Sequence, residues 1–302
     1  MERALITGGN GQLGTDLTEQ LAGRTEVVRA LGHAGLDIAD DDAVARVIDE
    51  LKPDTVFNCA AYHNVDLCET EEEMSFRING VAVKRMARRC SDAGVKLVHF
   101  STNYVFDGRR EEPYGEYDLP SPRSVYAISK LTGEHCALAY GGDGALVVRG
   151  SGLYGLHGSE QKGGNFVTRV LARAREGQQI RMVSDQRLQP TFTRDLAAAV
   201  IEAVDAGADG LLHLTASGAC SWLEFTQAIF ELAGIDVAIE PVTSSGPVDR
   251  PLNGVLARPR ADELGLTPLR DWRAALADYM ARAGYAASGR EESPAPSLRT
   301  GA

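Results

Sequence analysis

The chain has 302 residues, with 31 basic against 42 acidic side chains and a formal charge of −11 at neutral pH. Hydrophobic residues make up 44% and charged residues 24%, a globular mixture that excludes a wholly disordered, collagenous or coiled-coil chain. An acidic balance without a lysine- and arginine-rich block argues against binding nucleic acid through its phosphates and leaves only local basic pockets open.

No apolar run reaches the ~18 residues of a membrane span, and Met1 to Thr7 enters a strand pattern at once, so no membrane contact and no signal peptide are expected. A cytoplasmic protein follows. Cys59, Cys68, Cys90, Cys136 and Cys220 are scattered and lack a C-x-x-C pair, which predicts buried thiols, with neither a disulfide framework nor a zinc site.

In chain order, residues 3–7 read as a strand, 11–22 as a helix and 26–31 as a second strand. Asp40, Asp41 and Asp42 open a helix over 40–50, because carboxylates there accept orphan amide hydrogens and suit the positive end of the dipole. Residues 55–61 form a third strand, 72–93 a long helix, and 96–102 a strand whose nearly unbroken apolar run suits burial on both faces. After a loop over 107–122, a helix is predicted over 124–138 and a strand over 145–149. This alternation of strand and helix predicts an α/β protein, doubly wound about a parallel sheet.

Beyond Ser151 the rhythm loosens. Residues 1–150, with about 190–215 returning as a helix (193–206) and a strand (210–214), are expected to form the main domain. Residues 151–285 form a smaller, interleaved α/β lobe with helices over 222–233 and 269–282, and 286–302, without apolar periodicity, read as a disordered tail.

Three groups carry chemistry. Gly8, Gly11 and Gly14 lie between the first strand and first helix, where glycines permit a tight turn and let amides approach a pyrophosphate at a helix N-terminus. Tyr126 and Lys130 stand four residues apart on a helix and share a face, so the ammonium is expected to favour phenolate and lower the phenol's pKa. Ser101 and Thr102 end a strand at the edge where open sheets bind ligands, so a hydroxyl there can hydrogen-bond to a carbonyl oxygen; a turn cap is the plainer reading. His63, at another strand end, is a candidate for the same crevice, whereas the acidic run from Glu69 to Glu73 reads as a solvated helix start.

With these residues in place the chain resembles the extended short-chain dehydrogenase/reductases, and within them the dTDP-4-dehydrorhamnose reductase family. The resemblance covers nearly the whole sequence: ITGGNGQLG (6–14), LDIAD (36–40), NCAAYHNVDLCE (58–69), HFSTNYVFDG (99–108), VYAISKLTGE (125–134), GGNF (163–166), DQRLQPTFTRDLA (185–197) and RPLN (250–253). It implies a Rossmann-type domain that binds NAD(P)H. Asn10, Gly11, Gln12 and Leu13 would hold the pyrophosphate, Asp37 and Ile38 the adenine end, and Ala60, Ala61 and Tyr62 the middle of the cofactor. Thr102, Tyr126 and Lys130 match the catalytic trio, with Thr102, Asn103 and Tyr126 on the substrate and Tyr126 and Lys130 also on the cofactor.

The implied reaction is reduction of the 4-keto group of a nucleotide-linked deoxysugar, with no metal in the chemistry. Because no acid follows the second strand, NADPH is the expected cofactor, with NADH as an accepted alternative. A homodimer is one arrangement left open. The family usually has Asp at Asn103, Gly at Ala127 and Thr-Ser-Trp at Gly150-Ser151-Gly152, departures that leave the sugar itself open. Two alternatives also stand: a nucleotide-sugar epimerase or dehydratase of the same fold, which would recycle bound NAD, and a non-catalytic NADP-binding regulatory subunit.

Overall fold

The computed structural model describes residues 1–157 and 163–287. In chain order the first part runs β1 (Arg3–Thr7), α1 (Gln12–Leu21), β2 (Val27–Leu31), α2 (Asp41–Leu51), β3 (Thr55–Asn58), α3 (Val65–Cys68), α4 (Glu72–Phe76), a π-helical turn (Arg77–Ala82), α5 (Val83–Asp92), β4 (Lys96–Thr102), α6 (Val125–Tyr140) and β5 (Leu146–Gly150). It continues through β6 (Leu153–Tyr154), α7 (Phe166–Arg175), β7 (Ile180–Val183), β8 (Arg187–Leu188), β9 (Thr191–Phe192), α8 (Thr193–Asp205) and β10 (Gly210–His213). Then come β11 (Cys220–Ser221), α9 (Trp222–Ala233), β12 (Ile239–Val242), α10 (Pro259–Glu263) and α11 (Trp272–Arg282).

The main sheet has six strands in the order β10-β5-β4-β3-β1-β2, and every pairing in it is parallel. Strands buried on both sides need no polar face. Leu5, Val56, Leu97 and Val147 pack with α2 and α5 on one side, while Ile6, Phe57, Val98 and Val148 pack with α1 and α8 on the other. The fold is therefore α/β and doubly wound. After the chain has left this sheet, α8 packs on it and β10 pairs with β5. A separate aromatic core, including Tyr154, Phe192, Phe225, Trp272 and Tyr279, gathers α7, α9 and α11.

Two expectations are corrected. The third strand ends at Asn58, because the chain leaves the ladder at the carboxyl edge and residues 59–64 become loop. The long helix expected over 72–93 is interrupted by the π-helical turn at its middle. That widened turn has a use: Asn79 within it accepts from Tyr62 N at 2.9 Å and donates to Tyr62 O at 2.8 Å, clamping the loop after β3.

Gly133 on α6 lets the two helices meet, since a Cβ there would lie 2.2 Å from Asn79 O. Gly133→Ala is therefore expected to destabilise the protein by about 1–3 kcal/mol, as overpacking against backbone does, with a lower urea midpoint as the measurement. Ala286 and Ala287, assigned to a disordered tail, instead hydrogen-bond to Met280 O and Leu232 O. The remainder of that stretch, 288–302, lies outside the described residues. No helix among the described residues is long and apolar enough to cross a membrane.

Candidate active site

A cavity of about 950 Å³ runs along the carboxyl edge of the sheet, large for a small-molecule site and suited to two ligands. Its floor is the turn after β1. Gly8 has φ +64°, and a Cβ there would come 2.7 Å from Ala60 N; one on Gly14 would come 2.5 Å from Gly8 O. Only bare glycine lets this turn lie against the β3 loop and the start of α1, and the space left outside it is a cradle for a pyrophosphate at a helix N-terminus.

Asn10, Gly11, Gln12 and Leu13 line the cradle, Asp37 and Ile38 one end of the cavity, and Ala60, Ala61 and Tyr62 its middle. Two of these side chains have local duties. Gln12 Oε1 accepts from Gly155 N at 2.8 Å, tying α1 to the chain beyond β6. Asp37 Oδ1 accepts from Ala39 N at 2.9 Å and so shapes its own turn. His63 lines the same space, half-buried. Ser101 Oγ is buried there without a partner, as a hydroxyl reserved for a bound group would be.

Thr102, Tyr126 and Lys130 all face this cavity. Thr102 closes β4, its Oγ1 accepting from Tyr104 N at 3.2 Å, and its hydroxyl acts to lower the pKa of the Tyr126 phenol. Tyr126 sits in the first turn of α6, whose start is fixed twice: Ser124 Oγ accepts from Ala127 N at 3.2 Å and Glu69 Oε1 accepts from Val125 N at 2.8 Å. The reading of Glu69 as merely solvated is thereby corrected. Its carboxylate reaches across to α6, satisfying an orphan amide at the positive dipole end.

The expected phenol–ammonium coupling is corrected as well. Burial raises the Tyr126 pKa, opposed by the Thr102 hydrogen bond, and the ammonium is not what faces the ring. Lys130 Nζ instead donates to Phe100 O at 2.6 Å and lies 3.5 Å from His99 Nε2. Burial pushes the Lys130 pKa down to about 8, against the opposing pull of Glu134. In this arrangement Tyr126 is a neutral acid with a proton to give.

Glu134 in turn forms the buried anchor of α6. Arg149 on β5 donates from Nε to Glu134 Oε1 at 2.8 Å and from Nη2 to Oε2 at 2.7 Å, with both side chains no more than 3% exposed.

Asn103 and Gly152, which depart from the family pattern, have structural reasons. Asn103 Nδ2 donates to Gly254 O at 3.0 Å, a bond to a carbonyl that a carboxylate cannot make. Gly152 has φ +56°, and a Cβ there would lie 2.8 Å from Leu188 Cδ1, so Leu188 occupies the space over Gly152.

Other lining residues come from later in the chain, from the three later motifs and from α7 and α9. Phe166 packs at a tilt against Trp222 with ring centroids 4.5 Å apart, and both line the cavity. Arg169, Arg187 and Arg250 line it too, giving an acidic chain a locally basic pocket. Arg250 pairs with Asp66 at 2.6 Å. The family motifs place Arg187 and Arg250 in the sequence, but nothing local marks them or Arg169 as neighbours. Among the described residues no three His, Cys, Asp or Glu side chains gather where they could hold a metal ion.

Comparisons over the whole chain show its family. Residues 2–284 match the family described as the RmlD substrate binding domain. A dTDP-4-dehydrorhamnose reductase from Streptomyces griseus is 38% identical over 306 residues, covering 98% of each chain. A dTDP-4-keto-6-deoxy-D-glucose reductase from Streptomyces niveus is 37% identical over 279 residues, covering 91% of this chain and 95% of its own. The crystal structure of dTDP-4-dehydrorhamnose reductase from Bacillus anthracis, solved with NADP, superposes with a TM-score of 0.88 at 31% identity, covering 93% of this chain and 99% of that one. A match from Glu2 to Gly284, carried by relatives of full length, means that the chain belongs to the dTDP-4-dehydrorhamnose reductase family of extended short-chain dehydrogenase/reductases.

Proposed function

We propose that this protein uses NADPH to reduce the 4-keto group of a nucleotide-linked deoxysugar, as a dTDP-4-dehydrorhamnose reductase does. The observation that carries the reading is that Thr102, Tyr126 and Lys130 line the same cavity as the glycine turn. The cradle, the unpartnered Ser101 hydroxyl and the absence of an acid after β2 suit NADPH, with NADH accepted as an alternative.

NADPH, when bound, supplies a hydride for the sugar C4. Tyr126 gives its proton to the oxygen at that carbon, and Thr102 holds the same oxygen by a hydrogen bond while charge develops on it. Lys130, fixed by Phe100 O, has a hydrogen left for the ribose beside the nicotinamide. We assign no metal ion to these steps.

In this reading Arg169, Arg187 and Arg250, which line the cavity, meet the diphosphate of the sugar nucleotide, and the Phe166–Trp222 pair meets its base. The domain reading goes with this: residues 1–150 with 190–215 bind the cofactor, and most of 151–285 holds the substrate.

NADPH oxidation assayed against a panel of 4-keto sugar nucleotides tests the reading. Turnover confined to that class supports it; purified protein carrying stoichiometric NAD and interconverting sugar epimers would overturn it. Arg187→Glu is expected to raise KM for the sugar nucleotide about tenfold or more, with a smaller change in kcat, because a charge-assisted contact to a remote phosphate becomes a repulsion.

A further inference from the structure

Behind the catalytic helix, β4 carries a fully buried imidazole. His99 Nε2 lies 3.5 Å from Lys130 Nζ, and His99 Nδ1 lies 3.2 Å from Asn58 Nδ2. Asn58 Oδ1 accepts from Thr7 Oγ1 at 2.7 Å, and all four side chains are buried. The ring is wedged between β4 and α6: a Cβ on Gly133 would stand 3.0 Å from its Nε2.

Hydrogen counting decides what this ring must be. A neutral imidazole has one N–H and one lone pair, whereas an ammonium is a donor only. The nitrogen that faces ammonium is therefore the lone-pair nitrogen, which puts the ring proton on Nδ1. An Nδ1–H needs an acceptor, and Asn58 provides one by turning its amide about Cβ–Cγ. Its oxygen then faces His99 and its nitrogen donates to the Thr7 hydroxyl, whose own hydrogen turns away from Asn58.

An imidazolium would instead direct an N–H at a buried cation. The charged and titratable groups around the pair are Lys130 and Glu134 on α6 and Cys59 after β3. Burial first, and then the Lys130 charge, hold the His99 pKa well below its usual value, so the ring stays neutral.

We propose that His99 is a positioning residue for the reduction, a permanently neutral acceptor that together with Phe100 O fixes two of the three ammonium hydrogens of Lys130 and leaves the third for the cavity. The role rests on the reductase reading; the hydrogen arrangement does not. Removing the acceptor withdraws stabilisation from an ammonium already weakened by burial. Lys130 should then lose its proton at lower pH, and the alkaline limb of kcat should move toward neutrality.

The first test uses the full chain, labelled with ¹⁵N-histidine and free of cofactor and substrate, so that long-range ¹H–¹⁵N spectra read each tautomer. His99 is assigned by its absence from the His99→Gln spectrum. A neutral Nδ1–H ring between about pH 6 and 8 is expected, and an Nε2–H tautomer or an imidazolium overturns the proposal.

The second test compares three variants. His99→Asn and His99→Phe lack an acceptor at the Nε2 position and should lower kcat roughly tenfold, with the alkaline limb moved down by about one pH unit. His99→Gln, whose Oε1 stands near that position, should recover most of the loss and restore the limb. Equal losses in all three with an unmoved limb would mean that the ring only fills space. If His99→Phe does not fold, Asn against Gln carries the same comparison. Absence of any 4-keto turnover in the parent protein would refute the reductase reading, with the tautomer still decisive for the hydrogen arrangement.

Discussion

Tyr126→Phe is expected to lower kcat by about 10³-fold while NADPH binds with unchanged affinity. The change deletes one hydroxyl at the cavity wall and leaves a ring of the same shape in its edge-to-face contact with Tyr104, at 6.0 Å between centroids. What disappears is the neutral acid that burial keeps protonated. Water cannot readily replace it, since a solvent molecule there would have to be ordered beside Thr102 and donate in the same direction. Stopped-flow NADPH oxidation with a 4-keto sugar nucleotide, alongside fluorescence titration of NADPH, separates chemistry from binding. Reduction at near wild-type rate with normal cofactor affinity would remove Tyr126 from the mechanism.

Glu134→Ala is expected to cost about 3–5 kcal/mol of stability, because it strands a buried guanidinium. Arg149 would keep His213 Nε2 at 3.3 Å and the Phe106 ring at 5.0 Å, neither of which carries a compensating negative charge. The pair spans β5 and α6, and Glu134 lies one turn beyond Lys130, so the loss should also loosen the helix that presents Tyr126. Replacing both partners with apolar residues of similar volume, Glu134→Leu with Arg149→Met, should recover much of the loss, since the desolvation cost of the pair goes with its charges. Urea unfolding of the single and double variants measures both. A single-variant cost under about 1 kcal/mol, the range of an exposed pair, would mean that solvent reaches the guanidinium.

Several parts of this protein are written locally. The glycine turn between β1 and α1 is readable because only glycine tolerates the backbone at Gly8 and the approach of Gly14 to Gly8 O. The strand Lys96–Thr102 is readable because burial on both faces leaves a continuous apolar run. Tyr126 and Lys130 share a helix face by spacing alone.

What they do there is another matter. Lys130 turns to Phe100 O and His99, residues 30 and 31 positions earlier, so the partner that sets its chemistry comes from strand pairing and not from the helix. Glu69 reaches Val125 across 56 residues, the π-helical turn forms around a clamp between Asn79 and Tyr62, and Glu134 meets Arg149 only when α6 lies on β5. None of these leaves a periodic trace, because a hydrogen bond between distant segments constrains two positions and no pattern between them.

The sequence by itself therefore determined the doubly wound sheet, the glycine turn and the shared helix face of Tyr126 and Lys130, all of which depend on backbone sterics, burial and short-range spacing. The tertiary structure alone decided that burial, opposed by Thr102, keeps the phenol neutral, that the ammonium belongs to a buried hydrogen-bonded chain, and that arginines from three separate segments converge on one cavity. Charge and proton position depend on which groups share a low-dielectric space, and that sharing is settled only when distant segments pack together.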